Sequence, residues 1–254
     1  MGTILRRNLS VLWTVFMISK YARLDRFLSQ QLGQPRAAVQ RMLAAGRVQV
    51  SGALAKDGQQ RVGPFTEVLL DGEILQANQA RYLMLNKPAG VVSATRDLKH
   101  TTVLDLLPEA QRADLHIAGR LDFNSTGLLL LTNDGRWSRQ LSAPENNIRK
   151  RYRVTLEKPL NDDYIQAFAE GMFFDVEGVV TRPAQLVIVS DYVADVWLVE
   201  GRYHQIKRMF GRFHNKVMSL HRSAIGALEL DLELASGCAR PLSLAEVRAV
   251  NPDY

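Results

Sequence analysis

At 254 residues the chain has room for one large domain or two smaller ones, and its 46% of hydrophobic residues supplies a core that excludes a disordered protein. A single cysteine, Cys238, excludes a disulfide framework and a cysteine-based metal site, and fits a reducing compartment. The formal net charge of +6 calls for an acidic partner, and nucleic acid is the commonest.

In chain order, Arg6 and Arg7 precede an apolar run from Leu9 to Ile18 that imitates a signal peptide. No A-x-A cleavage pattern follows, the run is too short to span a bilayer, and Met17 offers an internal start. Residues 1–20 are therefore expected to be a leader or an upstream extension of the reading frame. The protein itself is expected to be cytoplasmic, with no membrane partner.

Leu24, Phe27, Leu28 and Leu32 fall at helical spacing, and Gly33 can end that helix. Pro35 suits the first turn of a second helix, with Val39, Met42 and Leu43 as its apolar positions and Gly46 as its stop. Val48 and Val50 then alternate with polar residues before the turn Ser51-Gly52, and a later strand over 67–70 ends at Asp71-Gly72. These elements predict a small α+β module over residues 21–75. Its basic residues gather on the helices: Arg23 and Arg26 on the first, Arg36, Arg41 and Arg47 around the second.

Residues 76–80 are polar and unpatterned and read as a linker. From there to residue 254, strand-like runs at 82–85, 128–132, 152–156, 185–189, 195–199 and 225–230 alternate with helical patterns at 136–142, 162–170, 204–213 and 244–250. The expected fold class is α+β, with a larger domain built on a mixed, largely antiparallel sheet.

Charge is unevenly shared. Residues 1–80 carry 10 Lys/Arg against 5 Asp/Glu, whereas residues 81–254 carry 22 against 21. Within that nearly neutral part, Arg149, Lys150, Arg151 and Arg153 cluster, and a second run holds Arg202, Lys207, Arg208, Arg212, Lys216 and Arg222 with no acid among them. A single-sign stretch on a neutral domain predicts a phosphate-facing groove.

No P-loop, dinucleotide-binding glycine motif or G-x-S-x-G elbow is present, and the histidines lack metal-ligand spacing. Chemistry without a cofactor or metal is the expectation, which leaves a carboxylate with a basic partner. Asp122, in a loop ahead of the apolar run Leu128 to Leu131, is a candidate, although a lone Asp before a strand is as readily a turn or cap residue.

Longer motifs carry a resemblance. RLDRFLSQQLG, together with G-R-V-Q-V-S-G at Gly46 to Gly52, resembles the S4-type RNA-binding module; Gln34-Pro35-Arg36 departs from it where a serine often precedes the arginine. LNKPAG from Leu85, AGRLDFNSTGLLLLTNDG from Ala118 and EGRYHQIKRM from Glu200 together resemble the pseudouridine synthases of the small-subunit rRNA type, in which an S4-type module precedes the catalytic domain. The H-Q-I-K-R-M form looks closer to the 16S rRNA type, acting at uridine 516, than to large-subunit relatives.

The resemblance implies that Asp122, in G-R-L-D, is the essential residue, attacking C1′ or removing a ribose proton while uracil moves from an N1 to a C5 linkage. Lys207 matches the basic position whose charge would favour the ionised carboxylate. Tyr152 matches the tyrosine that stacks on the target base and assists proton removal at C5, with Ile206 packed beneath it. Arg120 is expected to steady the loop or contact RNA. Arg202, Arg208, Arg36, Arg41 and Arg47 are expected to hold phosphates of 16S rRNA or of the assembling small subunit. Lys87 is expected to shape a turn with Asn86, Pro88 and Gly90 and to reach a phosphate. The target uridine would be flipped into a pocket by a monomeric enzyme. A large-subunit synthase and a non-catalytic S4-type RNA-binding protein are the alternatives. A hydrolytic N-glycosidase lacks a second carboxylate at a recognisable spacing.

Overall fold

The computed structural model describes residues 21–250, which divide after Gln79 into two compact units. The expected leader, residues 1–20, lies outside the described residues.

In the first unit β1 (Ala22–Arg23) leads into α1 (Leu24–Leu32), and α2 (Arg36–Ala44) follows. α1 buries Leu24, Phe27 and Leu28, and it stops where Gly33 turns left-handed at φ 63°. Then come β2 (Val48–Val50), β3 (Ala53–Leu54), β4 (Arg61–Val62), β5 (Val68–Leu70) and β6 (Glu73–Gln76). Four of these strands form an antiparallel sheet in the order β3-β2-β5-β6, and β1 pairs with β4. Val39 of α2 joins Phe27, Val48, Val50, Val62 and Val68 in one core. Gln76, expected as the first linker residue, instead ends β6 and is buried. Its amide donates to the Thr66 carbonyl and to the Gly63 carbonyl, which also accepts from Thr66 N, and so ties the strand end to that turn.

The second unit opens with β7 (Tyr82–Lys87), the short α3 (Glu109–Arg112), β8 (His116–Ala118), β9 (Thr126–Thr132) and α4 (Gly135–Ser142). Next are β10 (Lys150–Leu156), α5 (Asp162–Glu170), the small hairpin β11 (Phe173–Phe174) and β12 (Val179–Val180), then β13 (Gln185–Ser190) and β14 (Val193–Leu198). α6 (Gln205–Gly211), β15 (Val217–Ile225), β16 (Leu228–Glu229), β17 (Ala239–Pro241) and α7 (Leu244–Val250) complete it. A nine-stranded sheet runs β13-β14-β10-β15-β9-β7-β17, with β16 paired to β15 and β8 to β9. Every pairing in it is antiparallel except β15 with β9.

The unbroken run Leu128 to Leu131 follows from burial on both faces of this sheet. Leu129 and Leu131 join Leu83, Leu85, Val154 and Val196 in a core with Phe168 and Phe210 from α5 and α6. Leu128 and Leu130 turn the other way, to Met84, Trp137 and Leu141 of β7 and α4, and to Val247 and Val250 of α7.

One predicted strand is corrected. Residues 225–230 are not a strand: Ile225 closes β15, the chain reverses at Gly226 (φ 60°), and Leu228 opens β16. The long strand lies before the turn, at Val217–Ile225, and its alternating His221 and Arg222 concealed it in a stretch read only for charge.

Candidate active site

Asp122 lies in the loop from β8 to β9, and the carbonyls of that loop are gripped from below by two buried cations. Lys87, at the end of β7, is 0% exposed and donates from Nζ to Pro88 O (2.9 Å), Phe123 O (3.1 Å) and Ser125 O (2.9 Å). Arg222 of β15, 2% exposed, donates to Gly119 O (3.0 Å), Arg120 O (3.3 Å) and Leu128 O (2.7 Å). Ser93 adds a third hold, its hydroxyl donating to Leu121 O and accepting from Leu121 N. A loop satisfied at so many backbone acceptors has little freedom to move.

The expected phosphate contact of Lys87 is therefore withdrawn. Its ammonium has no route to solvent, and burial pushes its pKa down to about 8, with Arg222 adding to the fall and Asp122 opposing it. Gly127 allows the close packing on which Arg222 depends. It sits at φ 99°, opposite Arg222 in the parallel pair, and a Cβ there would run into the Arg222 carbonyl.

The second wall comes from the turn into α6. Glu200, buried, accepts from Gln205 Nε2 (2.8 Å), Arg182 N (2.9 Å) and Arg202 Nε (3.1 Å), while Gln205 Oε1 accepts from Arg202 N. His204 precedes the helix in a left-handed conformation, φ 49°. Lys207, in the first turn of the helix, donates to Asp122 Oδ2 at 2.8 Å, and His204 Nε2 lies 3.5 Å from the same oxygen. The Asp122 side chain keeps 28% exposure, so the carboxylate is held yet reachable.

Tyr152 on β10 faces the same space, with its hydroxyl 3.5 Å from Arg222 Nη1. Asp122, Tyr152, Ile206, Lys207, Arg120 and Arg202 all line one cavity of about 490 Å³. Lys150 lines it too; burial and the Arg222 charge push its pKa down to about 8, and its Nζ donates to Leu141 O. The volume lies within the range of small-molecule sites, and a carboxylate opposed by cations at one end suits a neutral ring attached to a sugar.

The basic run from Arg202 to Arg222 does not act as one groove. Arg208 is held bidentately by Glu177 and covers the Phe174 ring at 3.7 Å, while Arg212 pairs with Asp175. Those acids come from the β11–β12 hairpin, some thirty residues earlier in the chain, and Arg222 points inward. Arg202, Lys207 and the inward-turned Arg222 are the members that line the cavity. In the first unit Arg36 and Arg41 are exposed on α2, whereas Arg47 is paired with Asp71. Glu200, His204 and the loop-holding role of Arg222 escaped the sequence reading, although Glu200 and His204 sit inside a motif that it quoted.

Comparisons with known proteins give the family of the chain. A family model described as RNA pseudouridylate synthase matches residues 81–211, and an S4 domain model matches residues 22–68. The chain is 51% identical to the ribosomal small subunit pseudouridine synthase A of Pseudomonas aeruginosa, over 90% of this chain and 100% of that protein. Identity to the protein of the same name from Escherichia coli K12 is 43%, over 90% and 99%. A crystal structure of a pseudouridylate synthase superposes with a TM-score of 0.66 at 38% identity, covering 90% of this chain and 99% of that one. The chain, an S4 domain followed by a synthase domain, belongs to the RNA pseudouridylate synthase family.

Proposed function

We propose that this protein isomerises a uridine of small-subunit rRNA, free or in the assembling particle, to pseudouridine, with Asp122 acting at the ribose. One observation carries the reading: the Asp122 carboxylate, held by Lys207 at 2.8 Å, stands in a cavity that also presents Tyr152. The names of relatives at 43–51% identity support the substrate class, and uridine 516 is the target that this reading implies.

The target nucleotide leaves its stack to enter the cavity, its base against Tyr152 and its sugar toward Asp122. The C1′–N1 bond breaks, the uracil turns within the cavity, and a C1′–C5 bond forms. The proton on C5 is lost to solvent and N1 takes one up, so substrate and product are isomers. Asp122 serves either route, attack at C1′ or removal of a ribose proton, because both need an ionised carboxylate aimed at the sugar. Lys207 supplies the opposite charge and fixes the aim, and Tyr152 stacks on the ring and assists removal of the C5 proton. The exposed Arg36 and Arg41 of the S4 domain add affinity through the phosphate backbone. The reading carries with it action as a monomer in the cytoplasm. Among the described residues no helix is long and apolar enough to cross a membrane.

Tritium release from small-subunit rRNA labelled at uridine C5 tests the proposal, with large-subunit rRNA as control and the modified position mapped afterwards. Release by wild type and none by Asp122→Ala is expected, confined to small-subunit RNA. Release from large-subunit RNA alone would keep the chemistry and overturn the substrate. Silence on every RNA, with binding intact, would overturn the enzyme.

A further inference from the structure

Tyr203 is 72% exposed, more than any other tyrosine, phenylalanine or tryptophan among the described residues, yet its ring is held in place. One face lies on the His204 imidazole, with centroids 3.9 Å apart and planes 18° apart. Successive side chains ordinarily point apart, and the left-handed backbone at His204 lets these two lie face to face. The turn is braced on both sides. Glu200 and Gln205 bond to Arg202 and to each other, and Arg208 N donates to His204 O. His204 is in turn placed beside Asp122, so the stacked pair is tied to the carboxylate.

Tyr203 lines the Asp122 cavity while its outer face meets water. Among the cations that line the same cavity, two arginines reach solvent. Arg202 is about one-third exposed, and the exposed guanidinium of Arg120 has no hydrogen bond or ion pair among the described residues. A flat, pre-oriented ring with one face on an imidazole, in a cavity that arginines also line, is the arrangement that single-stranded nucleic acid uses, because every base offers a π-face and every linkage a phosphate.

We propose that the free face of Tyr203 is a stacking platform for the base of a nucleotide next to the target uridine, with Arg120 and Arg202 on the phosphates of that step. The proposal rests on the RNA substrate argued above and assigns a second subsite to it. A uridine that leaves its stack exposes a neighbouring base, and the platform replaces the lost stacking partner at the cavity rim. His204 is then a positioning residue that holds the platform in register with Asp122.

The test is a cycle of protein and substrate truncations, read by tritium release. Small-subunit rRNA is assembled by ligation with an abasic residue on the 5′ or the 3′ side of the target, and each RNA is given to wild type, Tyr203→Ala, Tyr203→Phe and Tyr203→Trp. On intact RNA, Tyr203→Ala is expected to raise KM by about 5- to 150-fold, while kcat stays within about threefold of wild type and Phe and Trp restore binding. An abasic residue on one side should cost wild type a similar factor and cost Tyr203→Ala nothing more. Penalties that multiply, or a Tyr203→Ala enzyme with wild-type KM, would overturn the platform while leaving the synthase standing. A wild type inactive on intact RNA would overturn the synthase itself. Should the alanine variant unfold, Tyr203→Leu, apolar but without a ring face, takes its place in the same cycle.

Discussion

Lys207 and Asp122 are 85 residues apart in the chain and 2.8 Å apart in the fold, nitrogen to oxygen. The loop after β8 presents the acid and the first turn of α6 presents the base, so neither element contains the pair. Both side chains keep about a third of their surface, which limits what the pair contributes to folding and leaves its worth to the reaction. Asp122→Asn, close in shape but uncharged, is expected to lower single-turnover tritium release by about 10³-fold or more while RNA binding holds. Lys207→Met should cost about 10²-fold, and Lys207→Arg should recover part of that. Equal losses of binding and rate in all three variants would assign the pair a structural role.

Lys87→Met removes three donors from buried carbonyls. Phe123 O keeps the Gly90 amide, so Pro88 O and Ser125 O are the acceptors that lose their donor; at about 1 kcal/mol or more for each, the expected loss is about 2 kcal/mol, or roughly 4–8 °C in Tm for a unit of this size. Thermal melts followed by circular dichroism give the number, and an unchanged Tm would refute the three-carbonyl hold.

The same lysine sets a dependence on pH. Its pKa in the fold, about 8, lies below the ordinary 10.5, so between those values the unfolded chain binds more protons than the folded one. Stability contributed by this group therefore rises as pH climbs from about 8 toward 10.5. Lys150 acts in the same direction over the same window, and it is present in both wild type and Lys87→Met. Wild type is expected to gain stability relative to Lys87→Met across that range in urea titrations; a gap that narrows with rising pH would reverse the assignment.

Gly127→Ala places a Cβ against the Arg222 carbonyl at a backbone angle that L-residues avoid. The parallel pairing of β9 with β15 must open, at a cost of about 3 kcal/mol or more, and the Arg222 guanidinium shifts under the Asp122 loop. Hydrogen exchange should accelerate at residues 119–122 in this variant. Arg222→Lys, which keeps the charge but replaces three spread donor nitrogens by one, should show the same acceleration with a smaller loss of Tm.

In the S4 domain, Arg36→Gln and Arg41→Gln should each weaken RNA binding and reduce the slope of log affinity against log salt by about one. Arg47→Gln should do less, since its guanidinium is already bound to Asp71. Filter binding across a salt series measures all three, and a steeper effect at Arg47 would mean that RNA displaces Asp71.

The order of helices and strands was largely written in local pattern, while the candidate site was legible through longer motifs and the resemblance they carry. The predicted helices at 162–170 and 244–250 match α5 and α7 end to end, because their apolar spacing is regular and helical bonds are local. Gly33 and Gly226 are both glycines at a chain reversal, yet one was legible and the other not. Gly33 follows a clear helical period, whereas Gly226 interrupts a run of apolar residues that reads the same in a strand or a turn.

Sequence by itself set out the motifs that hold Asp122, Tyr152 and Lys207, and their resemblance to a known family is what grouped the three, because residue types at fixed spacing in long motifs are legible without coordinates. Tertiary structure alone decided which cations line the Asp122 cavity. Arg208 and Arg212 are neutralised by acids from a hairpin earlier in the chain, Lys87 turns inward to carbonyls, Arg222 does so at the cavity wall, and Arg202 and Lys207 line the cavity with it. The physical reason is that charge is additive along a sequence, whereas its partners and its burial are set by residues distant in the chain, and those decide whether a guanidinium meets an acid, a backbone oxygen or a phosphate.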